Sequence, residues 1–162
     1  MGSAVMEYLI RSLGEDDVPQ VVAMEQANQI APWSETVFRD ELAAENRVYL
    51  VADQAGVVGF GGVMLVGDEA HVTNLLVSPG NRSLGVGLHL MIALIDAALT
   101  AGARHLTLEV RSGNHPARSL YARLGLAPVG VRKGYYGVDD ALILWAHDID
   151  SEEYRQRLDD LR

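Results

Sequence analysis

Cysteine is absent from the chain, and this absence removes several kinds of site at once. There can be no disulfide framework, no thiolate nucleophile and no cysteine-ligated zinc or iron–sulfur centre. The five histidines form no His-Glu-x-x-His or facial-triad pattern, so a metal is not indicated either. A chain without thiols is compatible with the cytosol, and we expect a cytoplasmic protein.

Long apolar runs and positive charge are also scarce. No run reaches the roughly 18 apolar residues that a membrane helix needs, and the first five residues are too short for a signal peptide, so we expect no membrane association. Lysine and arginine number 13 against 22 acidic residues, a formal charge of −9. This balance argues against direct nucleic-acid binding. It favours a basic peptide partner through steering, although acidity that simply keeps the protein soluble is the plainer explanation.

The remaining composition is that of one globular domain. A length of 162 residues is close to the usual domain size of about 100–150 residues. Apolar residues make up 49% of the chain and charged residues 22%, which is an ordinary globular mixture.

Periodicity and turn signals predict the order β-α-α-β-β-β-α-β-α-β-β in an α+β domain. The predicted strands are Tyr8–Arg11, Val48–Ala52, Val57–Val66, Ala70–Val77, Leu106–Val110, Val129–Arg132 and Ala141–Ala146. The predicted helices run from Asp16 or Asp17 to Gln29, from Ser34 onward, through Leu88–Leu99, from Asn114 to Gly125, and in the tail from Ser151 to Arg162. We expect antiparallel hairpins in the middle of the chain and one parallel pair where the long helix joins two strands. The buried stripe of the first helix is predicted to be Val18, Val21, Val22, Ala23 and Met24.

The turn between the fourth strand and the long helix carries Arg82, Gly85 and Gly87. Glycines at that junction let a ligand approach the backbone, and the free amides of the first helical turn face an anion such as a pyrophosphate. Arg82 adds a forked positive charge. A Walker A loop is excluded because Gly87 is followed by Leu-His, and the third glycine of a dinucleotide fingerprint is missing. The alternative is that the two glycines only allow tight packing of the strand against the helix.

Arg82-x-x-Gly85-x-Gly87 matches the Gln/Arg-x-x-Gly-x-Gly/Ala motif of the GNAT superfamily of N-acetyltransferases, and the order of elements resembles theirs. Further segments are similar to the RimI-type branch, whose members acetylate the N-terminus of a small-subunit ribosomal protein. These segments are Leu108–Asn114, Leu120-Tyr121, Leu124-Gly125, Arg132–Tyr136, Asp139–Ala141 and Pro32–Ser34. The resemblance extends from Ile10 to Ile149.

The resemblance implies a GNAT fold, with a mixed, mostly antiparallel seven-stranded sheet flanked by four helices and a short tail helix. We expect an N-acetyltransferase domain over residues 6–150 and a polar tail over 151–162. The implied reaction is acetyl transfer from acetyl-CoA, without a metal, to the α-amine of a protein, a ribosomal protein by resemblance, by direct attack on the thioester. Acetylation of a small amine or a lysine side chain is an alternative, and a non-catalytic acyl-CoA-binding module is another.

Two residues are predicted to handle the protons of this reaction. A charge at Glu109 inside a strand is costly unless it has a partner or a role, and RimI-type enzymes place their catalytic base in this motif. Pairing with Arg111 or Arg104 is the structural alternative. The phenol of Tyr121 could protonate the leaving thiolate, or it could simply be a core aromatic. His71 is a competing base, although a lone strand histidine is more often structural.

The resemblance also implies the binding residues. Those expected to contact the cofactor are Leu75, Leu76, Val77, Arg82, Ser83, Leu84, Gly85, Val86, Gly87, Asn114 and Tyr121. The backbone of Leu75–Val77 would pair with the pantetheine arm like an added strand and supply an amide to the oxyanion. Asn114 is also expected to cap its helix. Trp33, Tyr135 and Tyr136 are expected to shape the acceptor groove.

Overall fold

A computed structural model describes residues 7–82, 85–134 and 139–162. Over these residues one mixed sheet of seven strands runs in the order β1-β2-β3-β4-β5-β7-β6. The strands are β1 (Leu9–Ser12), β2 (Arg47–Asp53), β3 (Val57–Val66), β4 (Glu69–Val77), β5 (His105–Arg111), β6 (Ala127–Arg132) and β7 (Ala141–Ala146). The helices are α1 (Val18–Asn28), α2 (Glu35–Ala43), α3 (Val86–Thr100), α4 (His115–Arg123) and α5 (Glu152–Leu161). The predicted order of elements is confirmed.

The pairing of the strands follows the predicted hairpins. Strands β1 to β4 are antiparallel neighbours, and β7 is antiparallel to both β5 and β6. The parallel pair is β4 and β5, which α3 connects. This pair is in register at only three positions, the last of which joins His71 to Thr107. The sheet is therefore continuous at one end of β4 and β5 and unpaired at the other.

Side-chain caps define where several helices begin. The hydroxyl of Ser34 accepts the N–H of Val37 at 3.2 Å, and the hydroxyl of Ser151 accepts the N–H of Tyr154 at 3.1 Å. The side-chain oxygen of Asn114 accepts the N–H of Ala117 at 3.3 Å, which confirms its predicted capping role. Each bond satisfies one of the amides that the first helical turn leaves without a partner.

Helix α1 presents a different stripe from the predicted one. Val18 and Val21 are buried as expected, but Ala23 is exposed and the third buried residue is Glu25. Positions 18, 21 and 25 are spaced by three and four residues, so they share one face of a helix. The prediction for Ala23 was wrong because a run of apolar letters was given more weight than the helical period.

The helices cover both faces of the sheet. Val18 and Val21 of α1 and Phe38 of α2 pack in one cluster with Phe60 and Leu76 of the sheet. A second cluster joins α3, α4 and α5 to the opposite face, where alternate residues of β5 point. Glu109 thus faces the side of α1 and α2, whereas Leu108 and Val110 face α3.

The C-terminal segment carries part of this second cluster. Helix α5 buries Tyr154 and Leu158 beside Leu124. The hydroxyl of Tyr154 donates to the carbonyl of Leu124 at 2.6 Å, and burial raises the pKa of this phenol to about 12. The polar letters of the segment are the outer face of an amphipathic helix.

We predict that Leu158→Ala lowers the free energy of unfolding by about 2–5 kcal/mol, the usual cost of removing a fully buried leucine. Denaturant unfolding followed by circular dichroism measures it. Asp159→Ala, at the exposed next position, is the control and should change stability by about 0.5 kcal/mol or less. Equal effects of the two variants would contradict the packing of α5.

Candidate active site

A cleft of about 960 Å³ lies where β4 and β5 part. Val72 to Leu75 of β4 and Leu108 to Arg111 of β5 line it, directly beyond the last paired residues His71 and Thr107. The turn between α1 and α2 lines another side. Of the predicted site residues, the cleft brings together Glu109, Tyr121, Asn114, Leu75 and Trp33.

Glu109 stands in the wall formed by β5, and its side chain retains 28% of its exposure. One carboxylate oxygen lies 2.9 Å from a guanidinium nitrogen of Arg132 on β6. The ion pair that the sequence suggested therefore exists, but with a residue from two strands away. Arg104 pairs with Asp148 and Asp150 instead.

Tyr121 reaches the same cleft from α4, on the other face of the sheet. It is 6% exposed and belongs to the cluster of α3, α4 and α5. The two interpretations of this residue are thus compatible, because one ring packs in the core and lines the cleft. The gap between β4 and β5 lets side chains from both faces of the sheet meet.

The turn between β5 and α4 is held by a residue just before β7, the strand next to β5. Asp139 accepts the hydroxyl of Ser112 and the N–H of Gly113, the latter at 3.0 Å. The bond from Ser112 is the largest cause of the lowered pKa of Asp139. A Cβ at Gly113 would lie 2.6 Å from a carboxylate oxygen of Asp139, so this contact requires glycine. The turn places Asn114 at the rim of the cleft.

The glycine turn opens helix α3. Gly85 adopts a left-handed conformation (φ +83°), which favours glycine, and as the N-cap residue it has no side chain to cap the first turn of the helix. The guanidinium of Arg82 donates to the carbonyl of Val77, the last residue of β4, at 3.1 Å. Ser83 and Leu84 lie outside the described residues.

The surroundings of Gly87 show whether glycine is needed there for tight packing of the strand against the helix. A Cβ built there would meet Leu120 at 3.4 Å and Val77 at 3.7 Å, which are ordinary contacts. Packing of the strand against the helix therefore does not require glycine at this position. The missing side chain leaves room between the first turn of α3, the end of β4 and Leu120, the neighbour of Tyr121.

Leu75, Leu76 and Val77 pair with β3 on one side only. Register with β5 ends at His71, so in the described chain these three residues have no strand partner on the β5 side. Such an edge can accept an extended ligand through main-chain hydrogen bonds.

The acceptor-side residues are only partly described. Trp33 packs on Phe38, with ring centroids 5.3 Å apart, and lines the cleft. Tyr135 and Tyr136 lie outside the described residues, so their predicted role stays a prediction.

His71 also lines the cleft, with its Nε2 2.9 Å from a carboxylate oxygen of Glu69. Its ring stands edge-on to that of Trp145, with the ring centroids 6.3 Å apart.

Within residues 7–82, 85–134 and 139–162, no group of three or more histidine and acidic residues could hold a metal ion. Nor does any helix of that part of the chain have the length and apolarity to cross a membrane.

Two polar residues of the cleft were missed by the sequence analysis. Glu25 of α1 is only 2% exposed, and it accepts the N–H of Trp33 at 3.0 Å. The side-chain amide nitrogen of Asn74 on β4 donates to the other carboxylate oxygen of Glu25 at 3.4 Å. Burial raises the pKa of Glu25 more than these two bonds lower it. A signal was present in both cases, because each is a polar residue at a position where the period of its element predicts burial.

Comparison with known proteins assigns the chain to a family. Residues 18–126 match the Acetyltransferase (GNAT) family. The ribosomal protein bS18-alanine N-acetyltransferase of Salmonella typhimurium (strain LT2) is 35% identical over 140 residues, or 83% of this chain and 94% of that protein. The enzyme of the same name from Escherichia coli (strain K12) is 32% identical over 139 residues, again 83% of this chain and 94% of that protein.

Solved structures agree with this assignment. The crystal structure of the ribosomal-protein-S18-alanine N-acetyltransferase from Escherichia coli superposes with a TM-score of 0.80 at 32% identity, covering 88% of this chain and 94% of that one. Ard1 from Thermoplasma volcanium also gives a TM-score of 0.80, at 24% identity, and supports the fold alone. The chain belongs to the GNAT family of acetyltransferases, as its motifs predicted.

The raised pKa of Glu25 leads to a prediction about stability. A carboxyl whose pKa is raised in the folded state stabilises the fold below its ordinary pKa, and this contribution is lost as the pH rises through the raised value. At neutral pH the charge is therefore a cost. A glutamine could keep the bond from Trp33 and, with the Asn74 amide turned over, donate to the side-chain oxygen of Asn74.

We expect Glu25→Gln to raise the Tm at about pH 7 by about 2–4 °C, which corresponds to about 1 kcal/mol in a domain of this size. The gain should shrink towards about pH 4, where the wild-type carboxyl also becomes neutral. Calorimetry at both pH values measures this, with the exposed Asp40→Asn as the control. A lower Tm for Glu25→Gln at neutral pH would contradict the claim that the charge of Glu25 destabilises the fold there.

Proposed function

We propose that the chain transfers the acetyl group of acetyl-CoA to the N-terminal α-amine of a protein, with ribosomal protein bS18 as the candidate acceptor. The observation that carries this proposal is the gap between β4 and β5. It brings Glu109 and Tyr121 into one cleft from opposite faces of the sheet. A reaction that takes a proton from an amine and gives one to a thiolate needs a base and an acid around a single point.

The acceptor is proposed from relatives and from charge. Relatives of 32% and 35% identity that span nearly the same length are named for acetylating the alanine of bS18. The formal charge of −9 would favour approach of a basic segment at low ionic strength. An α-amine has an ordinary pKa of about 7.7–8.0, so a modest base is sufficient to deprotonate it near neutral pH.

The residues around the glycine turn fit a pyrophosphate-bearing cofactor. Gly85, the N-cap residue of α3, turns the chain into the helix without a side chain that could occupy the amides of the first turn. Gly87 leaves space that packing does not use. Acetyl-CoA, when bound, supplies the activated acetyl group as a thioester. Amides at a helix N-terminus attract phosphate oxygens, and the nearby Arg82 adds a positive charge.

The free edge of β4 would orient the acyl end. Main-chain groups of Leu75–Val77 without a partner on the β5 side can pair with an extended amide-bearing arm, as an added strand does. A backbone N–H at this edge can also stabilise negative charge on the acetyl oxygen without any rearrangement. Asn114, at the rim, keeps its side-chain nitrogen for the same arm because its oxygen serves the helix cap.

Glu109 and Tyr121 would handle the protons. Glu109 takes the proton of the acceptor amine, and the ion pair with Arg132 holds its carboxylate in the wall of the cleft. The hydroxyl of Tyr121 gives its proton to the departing sulfur. The buried ring fixes the direction of that hydroxyl.

The central test is the position of the new acetyl group. A peptide that begins with alanine and continues with basic residues should be acetylated on its α-amine, as mass spectrometry with fragmentation will locate. Blocking the α-amine should abolish turnover, whereas replacing internal lysines by arginine should leave it nearly unchanged. Acetyl groups found mainly on lysine would favour the side-chain acetyltransferase, and no transfer to any peptide would favour a small amine.

Gly87→Ala separates ligand binding from packing. The new methyl group makes only ordinary contacts with the protein, so the free variant should be at least as stable as wild type. The same methyl group fills the space proposed for the cofactor. The increase in Tm that saturating acetyl-CoA gives wild type should therefore shrink markedly in the variant. A variant that is destabilised without ligand would show that packing explains this glycine.

Glu109→Gln keeps the shape of the side chain and removes the base, so the rate should fall by about 10²–10⁴-fold and recover in part as the pH is raised. Tyr121→Phe removes only the hydroxyl, and its loss should appear mainly in kcat while acetyl-CoA still binds. Steady-state kinetics with the alanine peptide measures both effects, after Tm has shown that the variants fold.

The control for these variants is His71→Gln, which removes the other titratable side chain considered as the base. It should change kcat by no more than about threefold, because the proposed proton path does not use this ring. If His71→Gln costs more than Glu109→Gln, the two assignments must be exchanged.

A further inference from the structure

The cleft wall contains one buried carboxylate, Glu25, that pairs with no cation among the residues that the structure describes. Glu25 is 2% exposed. Its burial raises the pKa of the carboxyl, and hydrogen bonds from the N–H of Trp33 and the amide of Asn74 lower it by less. The side-chain oxygen of Asn74 is itself buried and has no hydrogen-bond partner among residues 7–82, 85–134 and 139–162. Within the described part of the chain, Glu25 thus has donors but no positive charge beside it, and the side-chain oxygen of Asn74 has no donor.

Three other carboxylates of the described chain that are buried or half-buried lie against arginines. Glu109 lies 2.9 Å from Arg132, Glu41 lies 2.9 Å from Arg47, and Asp17 lies 2.7 Å from Arg11. Glu25 is more deeply buried than any of these and has only neutral partners. A buried charge is costly unless it is paired.

Architecture does not account for this charge. A glutamine at position 25 could accept the N–H of Trp33 through its oxygen and, once the Asn74 amide has turned over, donate its N–H to the side-chain oxygen of Asn74. It would keep the same two links, from α1 to the turn after α1 and from α1 to strand β4, without a charge. The difference between the two side chains is the negative charge.

We propose that Glu25 supplies the negative charge of the acceptor subsite. This charge draws the protonated amine of the acceptor into the cleft next to Glu109. This inference rests on the proposed function for the identity of the acceptor as an amine. Glu25 and Asn74 line the same cleft as Glu109, and Phe60, Asn74 and Glu109 all face the side of α1 and α2. Inside a poorly solvated wall, a fixed charge acts over several ångströms without contact.

The geometry also divides the work between two carboxylates. Arg132 already compensates the charge of Glu109, so Glu109 gives the incoming ammonium a weaker attraction than a bare carboxylate would. Glu25 has no such compensation. Glu25 therefore contributes to binding of the cationic acceptor, and the transfer of its proton is left to Glu109.

The experiment compares two peptides that differ in one charge. One begins with a free alanine α-amine, and the other is the same peptide with that amine already acetylated. Binding of each is measured calorimetrically with coenzyme A present. Wild type should prefer the free amine by about tenfold, and Glu25→Gln should reduce this preference to about twofold or less. Glu25→Asp, which keeps the charge, should retain most of it.

Kinetics provides a second readout and Asp40→Asn the matched control. Glu25→Gln should raise the KM for the peptide by about tenfold, with kcat within about threefold and the KM for acetyl-CoA unchanged. Asp40→Asn removes one exposed charge away from the cleft and should leave every value as in wild type. An unchanged preference in Glu25→Gln overturns the inference. So does a raised KM for both substrates, which would indicate a deformed cleft.

Failure of the proposed function would look different. If wild type acetylates lysine side chains, or no peptide at all, the proposed acceptor is wrong whatever Glu25 does. The binding comparison needs no turnover, so it still decides the inference: wild type that does not distinguish the two peptides overturns it, and a preference that depends on Glu25 supports it.

Discussion

The site depends on the point at which β4 and β5 stop pairing. Three residues of parallel register hold the two halves of the sheet together, and beyond His71 and Thr107 the strands diverge. This gap opens the cleft, leaves Leu75–Val77 without a described strand on the β5 side, and lets Tyr121 from one face and Glu109 from the other line the same cleft. A fully paired sheet of the same sequence would bury these groups on opposite sides, where they could not act together.

The fold could be predicted because each element repeats its own period and ends at a recognisable signal. The stripe of α3, the alternation of β5 and the caps at Ser34, Asn114 and Ser151 are all local patterns. Local patterns do not predict over how many residues two strands pair. Nothing in β4 or β5 alone indicates that their register stops after three positions, because that depends on how α3 and α4 pack against them.

The site was predicted unevenly for the same reason. Glu109 and Tyr121 were found from a motif, but Arg132 is the partner of Glu109 through the order β5-β7-β6, which places two distant strands near each other. Glu25 could have been found. Its position continues the stripe of Val18 and Val21, and the argument applied to Glu109, that a charge at a buried position needs a partner or a role, applies equally there.

The contact between Gly113 and Asp139 links two segments that are 26 residues apart in the chain. Because a Cβ at position 113 would lie 2.6 Å from a carboxylate oxygen of Asp139, a side chain at 113 is accommodated only if that carboxylate is moved or shortened. An evolving lineage would have to shorten or move one side chain before enlarging the other, and the intermediate with both large would be penalised. The loop after β5 and the loop before β7 are therefore expected to be inherited together. A chimera that takes only one of them from a relative with a side chain at position 113 would inherit the collision.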